Sequence, residues 1–273
     1  MTYDYKDELK RVRDYYSGDR LQKRFSALVC GEVGAGKTFL TRSCRRPVHI
    51  DSFDPGGTKC LREWIDKGDI IADTQWEADD PFNPDKFARW MKAIDLRFEI
   101  NYFDNFGTYV LDSATTWGDT VMNYQLKSAG RPASVPQHRH DYNPQKVFMV
   151  NYIKKLMRLP CDFILTGHLR MNEEVLTIDT KTGITKSKVE YRFLTTGQAI
   201  VTIPLLFDEI YVLTTSDGPN GLERQLLIEA QGKYMARSRL KANNKLDAVE
   251  PADIKALLRK IGLSDEDKPK LEL

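Results

Sequence analysis

One stretch constrains this chain more than any other. Gly31-Glu32-Val33-Gly34-Ala35-Gly36-Lys37-Thr38 has the G-x-x-x-x-G-K-[ST] spacing of a phosphate-binding loop. An apolar run, Phe25 to Cys30, precedes it, and Phe39 to Cys44 can begin a helix. Strand, glycine-rich loop and helix in that order point to an α/β fold. Glycines at 31, 34 and 36 allow positive φ, so that backbone N–H groups turn inward on an anion. The helix start adds the positive end of its dipole. Lys37 is placed to reach the β- and γ-phosphates, and the Thr38 hydroxyl to ligate Mg²⁺. Val33, Ala35 and Phe39 complete the candidate contacts. The stretch predicts a site for a nucleoside triphosphate.

Two carboxylates complete the expected chemistry. Tyr109-Val110-Leu111-Asp112-Ser113 reads as a buried parallel strand with a carboxylate at its tip. At this distance downstream of the loop, that is the position from which an Asp holds Mg²⁺ beside the Thr38 hydroxyl. The residue after Asp112 is Ser113, not Glu, so the group that activates water must come from elsewhere. Val48 to Ser52 reads as a strand stopped by Asp54-Pro55-Gly56-Gly57. Asp54 lies at the rim where open α/β sheets bind ligands and is a candidate to orient and deprotonate the attacking water. Asp51 is the alternative, or hydrogen-bonds the loop. An Asp before Pro is also a common turn former.

Elsewhere the pattern is helical or turn-like. Leu9, Val12 and Tyr16 recur at helical spacing in the charged segment before Gly18, either a leader packed loosely on the core or a subunit-docking arm. Residues 58–68 form a helix, and 73–84 an acidic surface loop. Asn83-Pro84 starts a helix to about Tyr102 with Phe87, Trp90, Met91, Ile94 and Phe98 on its core face. Residues 127–144, with three prolines, form a long loop before a helix starting at Pro144. Its Lys127, Arg131 and Arg139, with His138, His140 and Tyr142, mix cations and an aromatic as single-strand binders do; a plain surface loop is the other reading. Cys161 to Thr166 forms a strand ending at Gly167-His168, where His168 can sense a γ-phosphate. A β-hairpin turning at Lys181-Thr182-Gly183 follows, and Arg170, Lys186 and Lys188 extend the candidate nucleic-acid set. Two antiparallel strands, 207–213 and 224–230, close the sheet. Beyond them Arg237 and Arg239 are placed to reach a nucleotide, often a neighbouring subunit's, or are solvated surface charge. The tail from Ser264 is charged and expected to fray.

Taken together, GEVGAGKT, IDSFDPGG, YVLDS and ILTGHLR resemble the RecA-like ATPase core. With FDEIYVL and KYMARSRL they are similar to phage-encoded AAA-domain NTP-binding proteins, some of them single-strand annealing recombinases related to RecA and RadA. The resemblance covers about residues 25–240. It implies a mostly parallel sheet flanked by helices, with antiparallel strands at the C-terminal edge. It also implies ATP on Gly36, Lys37 and Thr38, Mg²⁺ on Thr38 and Asp112, water activation near Asp54 and γ-phosphate sensing by His168. Single-stranded DNA would run along 127–144 and 170–199. The protein would form a homo-oligomer with ATP between subunits. RecA-type proteins carry Glu where Phe53 or Asp54 aligns, and usually Gln at the His168 position, which puts hydrolysis at issue. The chain divides into a charged helical segment (1–24), the ATPase core (25–240) and a C-terminal helix and tail (241–273). A net charge of +2 excludes strong global attraction to nucleic acid, leaving local patches. A polar N-terminus, no apolar run of membrane-span length, and four cysteines without metal spacing suggest a cytoplasmic protein, in the host cell if phage-encoded.

Overall fold

The computed structural model describes residues 4–18, 23–178, 185–194, 199–218, 221–243 and 245–272. Ten strands form the sheet: β1 (Ser26–Gly31), β2 (Val48–Ser52), β3 (Ile70–Asp73), β4 (Thr108–Asp112), β5 (Asp162–Ile178), β6 (Thr185–Phe193), β7 (Glu209–Gly218), β8 (Gly221–Leu227), β9 (Arg237–Ser238) and β10 (Val249–Pro251). Their order is β10-β8-β7-β1-β5-β4-β2-β3, with β6 paired to β5 and β9 to β7. From β7 across to β3 every neighbouring pair is parallel, while β6, β8, β9 and β10 join antiparallel. This is the expected α/β architecture, with antiparallel strands at the C-terminal edge.

Eight helices accompany the sheet among the described residues: α1 (Tyr5–Gly18), α2 (Lys37–Leu40), α3 (Arg62–Asp66), α4 (Lys86–Glu99), α5 (Ala114–Ser128), α6 (Tyr142–Leu156), α7 (Ala199–Thr202) and α8 (Ile254–Ile261). Strand alternation sends Leu28, Tyr109, Leu111, Phe163 and Leu165 to one face, where they pack with Phe87, Trp90, Trp117 and Ile153 of α4, α5 and α6. Ala27, Val29, Val48, Ile50, Val110 and Ile164 face the other side, against Leu40, Leu61, Ile254, Leu257 and Leu258. Both faces are covered, which is why the central strands read as continuous apolar runs.

Several element limits differ from the sequence reading. The helix after the loop is only Lys37–Leu40, followed by a 3₁₀ turn, Thr41–Ser43, so the expected dipole is short. Helix α4 starts at Lys86, not Pro84, and ends before Asn101, whose φ of 54° breaks it. The loop expected at 127–144 is shorter at both ends, since α5 runs to Ser128 and α6 starts at Tyr142. Pro144 fits within α6's first turn, where no N–H is needed. Strand β5 does not stop at His168 but continues into the β5–β6 hairpin; the Lys181-Thr182-Gly183 turn lies outside the described residues. The C-terminal tail is docked, not frayed. Asp267 accepts from Arg46 N–H at 2.6 Å and from Lys255, while Lys268 N–H donates to Arg46 O at 2.8 Å. β10 joins the sheet and α8 packs in the core, so 245–272 belongs to the same packed unit as the sheet. On α1, Tyr5, Leu9, Val12 and Tyr16 are each more than half exposed.

Candidate active site

Register assembles the site. Pairing of β1 with β5 sets Gly31 opposite His168, and pairing of β2 with β4 sets Ser52 opposite Asp112. The ends of β1, β2, β4 and the midpoint of β5 therefore meet at one rim of the sheet. Gly34 and Gly36 adopt φ of 80° and 98°, as the loop requires. Gly31 does not have positive φ; it is needed because a Cβ there would meet Leu213 O at 3.0 Å. Val33 points to solvent and Ala35 inward. The loop faces a cavity of about 550 Å³ lined by Gly34, Gly36, Lys37, Thr38, Asp54 and His168, with Phe39, Gly57, Cys60 and Arg224.

Lys37 is buried, and its ammonium spends all three donors: Gly31 O at 3.1 Å, Glu32 O at 3.0 Å and His168 Nδ1 at 3.2 Å. Burial pushes its pKa down, against the carboxylates of Asp112 and Asp54. An ammonium only donates, so Nδ1 of His168 is the acceptor and the neutral ring carries its proton on Nε2. That nitrogen lies 3.6 Å from Asp54 Oδ2.

Thr38 Oγ1 donates to Asp112 Oδ2 at 2.7 Å, and Thr166 on β5 donates to Oδ1. Burial raises the Asp112 pKa even against these two hydroxyls. Gly57 leaves the space beside the pair open, since a Cβ there would stand 3.8 Å from Oδ2 and 3.9 Å from Thr38 Oγ1. A hydroxyl and a carboxylate side by side at a phosphate loop fit Mg²⁺, which prefers hard oxygens.

Asp54 Oδ1 accepts from Ser113 Oγ at 2.9 Å and from Thr116. Burial alone would raise its pKa, but His168, Thr116 and Ser113 outweigh it and hold the carboxyl below the usual range. Asp54 is thus ionised and aimed into the cavity. Asp51, the alternative, is excluded as a base. It is fully buried on the other side of β2, accepting from Trp76, Trp90, Arg97, Tyr109 and His49. Nor does it bond the loop.

Five functional neighbours escaped the sequence reading. Thr166 and Thr116 hold the two carboxylates. Glu77, from the stretch read as an acidic surface loop, accepts from Ser52 Oγ at 2.7 Å and Gly56 N–H at 2.8 Å, fixing the turn that carries Asp54. Thr115 Oγ1 accepts from His168 N–H at 3.3 Å. Arg224 of β8 donates to Ala35 O at 3.2 Å over the loop. None has a local motif, because they reach the site from four separate segments, Thr115 and Thr116 together from the start of α5.

The expected arginines lie elsewhere. Arg237 pairs with Ile210, which aligns with Leu28 of β1. That is three residues, about 10 Å of strand, before Gly31 and toward the opposite rim. Its guanidinium donates to Pro204 O and Phe207 O, and Arg239 pairs with Asp208. Neither touches its own chain's loop. Of the nucleic-acid candidates, Lys127 donates to Asn83 and Pro84 O, and Arg131 to Asp141, so both hold the fold. Arg139 and Arg170 are exposed; the side chains of Lys186 and Lys188 lie outside the described residues.

Cys60 provides a reporter. The other three cysteines are buried, whereas Cys60 is exposed and lines the cavity. ATP with Mg²⁺ is expected to slow maleimide labelling of Cys60 at least about fivefold by occluding it. Mass spectrometry of labelled peptides with and without nucleotide checks this.

The profile of a family described as AAA domain matches residues 23–240. No curated protein matches. Among solved structures, the crystal structure of a KaiC-like protein from the hyperthermophilic archaeon Pyrococcus horikoshii OT3 is similar at 14% identity. It covers 78% of this chain and 81% of that one, with a TM-score of 0.38.

Proposed function

The chain belongs to the AAA-domain family, and from that premise we propose that it is a magnesium-dependent ATP hydrolase that acts on single-stranded DNA. The observation that carries the hydrolase reading is the meeting of Lys37, His168 and Asp54 beside the Thr38–Asp112 pair. Lys37 supplies charge for the γ-phosphate, and Asp54 accepts a hydrogen bond from the water that attacks phosphorus. A carboxylate held below its usual pKa is a weak proton acceptor, so Asp54 contributes mainly by orienting that water. Bound Mg²⁺ would neutralise charge on the phosphate oxygens beside Thr38 and Asp112.

His168 makes this site a switch. It lies on the strand that runs on as the β5–β6 hairpin, and Leu194 N–H, just past β6, donates to His168 O at 2.7 Å. A γ-phosphate that draws Lys37 away from Nδ1 alters the support at the root of both hairpin strands. Arg170 on that hairpin is exposed, and this supports a nucleic-acid partner; Arg192 across from it in register pairs with Glu190 at 2.7 Å. With that partner, the protein would serve recombination or strand annealing. A homo-oligomer would let the exposed Arg239 meet a neighbour's nucleotide.

Single-stranded DNA is expected to stimulate ATP turnover several-fold at low salt and to lose that effect as salt rises. Without stimulation or a low-salt mobility shift in the presence of ATP, the DNA partner fails and the hydrolase stands. A protein substrate is then the second reading, favoured by the internal use of Lys127 and Arg131.

A further inference from the structure

The γ-phosphate end of the cavity is marked by Lys37, Asp54 and His168. Phe39 and Arg224 stand at its other end, and they are also walls of an adjoining cavity of about 190 Å³ that reaches Leu40, Arg42 and Ala252. A triphosphate laid along the loop would send its nucleoside out between Phe39 and Arg224.

The groups gathered there are unusual for a surface. The Arg42 guanidinium lies 4.2 Å from the Phe39 ring centre and 5.5 Å from that of Trp64; Arg224 lies 5.4 Å from Phe39 on β8's side. Phe39 and Trp64 meet edge to face at 5.8 Å. No carboxylate pairs with either arginine among the described residues, and Arg42 Nε is buried without a hydrogen-bond partner. Arg224 is pressed over the loop so closely that a Cβ on Gly36 would come within 2.5 Å of its Nε. Two guanidiniums around one ring, neither paired with a carboxylate among the described residues, are short of an anion and can each stack a second π face. A nucleotide brings both.

We propose that Phe39, Arg42 and Arg224 form the nucleobase end of the site and hold the base by stacking, accepting adenine and guanine nucleotides alike. This rests on the ATP-hydrolase reading. Phenyl and guanidinium planes stack on any base. None of the five side chains lining the smaller cavity offers an acceptor, so none can single out the amino group of adenine. Arg224, nearer the loop, would reach the phosphate next to the sugar.

Calorimetric titration of the full chain with ATP, GTP and inorganic tripolyphosphate, each with Mg²⁺, tests this. ATP and GTP are expected to bind within about threefold of each other and about tenfold more tightly than tripolyphosphate. Phe39→Leu with Arg42→Gln should erase that tenfold advantage and leave tripolyphosphate affinity unchanged. A preference of about thirtyfold or more for one purine would overturn the proposal, being more than stacking alone supplies. So would an intact advantage in the double variant, or an equal loss of tripolyphosphate, which would mean a damaged loop. Wild-type protein that binds none of the three would instead refute the triphosphate site itself.

Discussion

Lys37→Ala is expected to lower the kcat/KM for ATP at least about 100-fold, the scale set by removing one preorganised charge from a phosphoryl-transfer site. The loss has two sources. Lys37 is the cation that faces Asp54 and Asp112 from inside the loop, so its removal leaves two carboxylates facing an incoming tetra-anion. It also deprives Gly31 O, Glu32 O and His168 Nδ1 of their shared donor, which frees the imidazole to turn from Asp54. Lys37→Met keeps most of the side-chain volume and should lose turnover equally, which separates charge from packing. Phosphate release and calorimetric binding of ATP check both variants. Turnover at the wild-type rate in Lys37→Ala would remove the basis for the hydrolase assignment.

The parts of this site that lie within one short stretch were legible in the sequence. Lys37 and Thr38 sit in a spaced motif, and Asp112 ends an apolar run whose burial on both sheet faces is complete. His168 and Asp54 were found because parallel strands reach the same rim there, Asp54 just past the end of β2 and His168 midway along β5. The choice between Asp51 and Asp54 was not legible. Two carboxylates three residues apart differ by which side of β2 they leave, and that depended on Trp76, Trp90, Arg97 and Tyr109 arriving from elsewhere. Arg224 was hidden for a similar reason. It is one of many arginines until antiparallel β8 folds back along β7 and places it on Ala35. That Arg237 and Arg239 lie away from their own chain's loop was not legible, because the sequence shows that a strand follows but not which rim it returns to. The helix limits moved where backbone detail, such as the left-handed Asn101, overrode side-chain periodicity.

Asp112→Asn is expected to trade stability against function. Burial raises this carboxyl above the ordinary aspartate value of 3.8, despite the Thr166 and Thr38 hydroxyls. A group whose folded-state pKa exceeds its unfolded one supports the fold at low pH, and the support is lost as pH rises through the folded value. Near neutrality, then, the buried Asp112 charge costs the fold stability unless a cation relieves it. Asparagine keeps an oxygen to accept from one threonine and presents an NH₂ to the other, without the charge. Without Mg²⁺ or nucleotide, the variant should melt above wild type at pH 7, by roughly 2 °C for each kcal/mol relieved in a chain of this size. The gap should close as pH falls toward 4. Adding Mg²⁺ and ATP should reverse the order, because only wild type gains the full binding free energy. Turnover should fall at least about 100-fold with the loss of a metal-holding oxygen charge. Thermal melts across pH, with and without Mg²⁺ and ATP, read both effects. A variant that melts below wild type at neutral pH, or that still gains the wild-type shift from Mg²⁺ and ATP, would show that Asp112 is a structural acceptor and not the metal's partner.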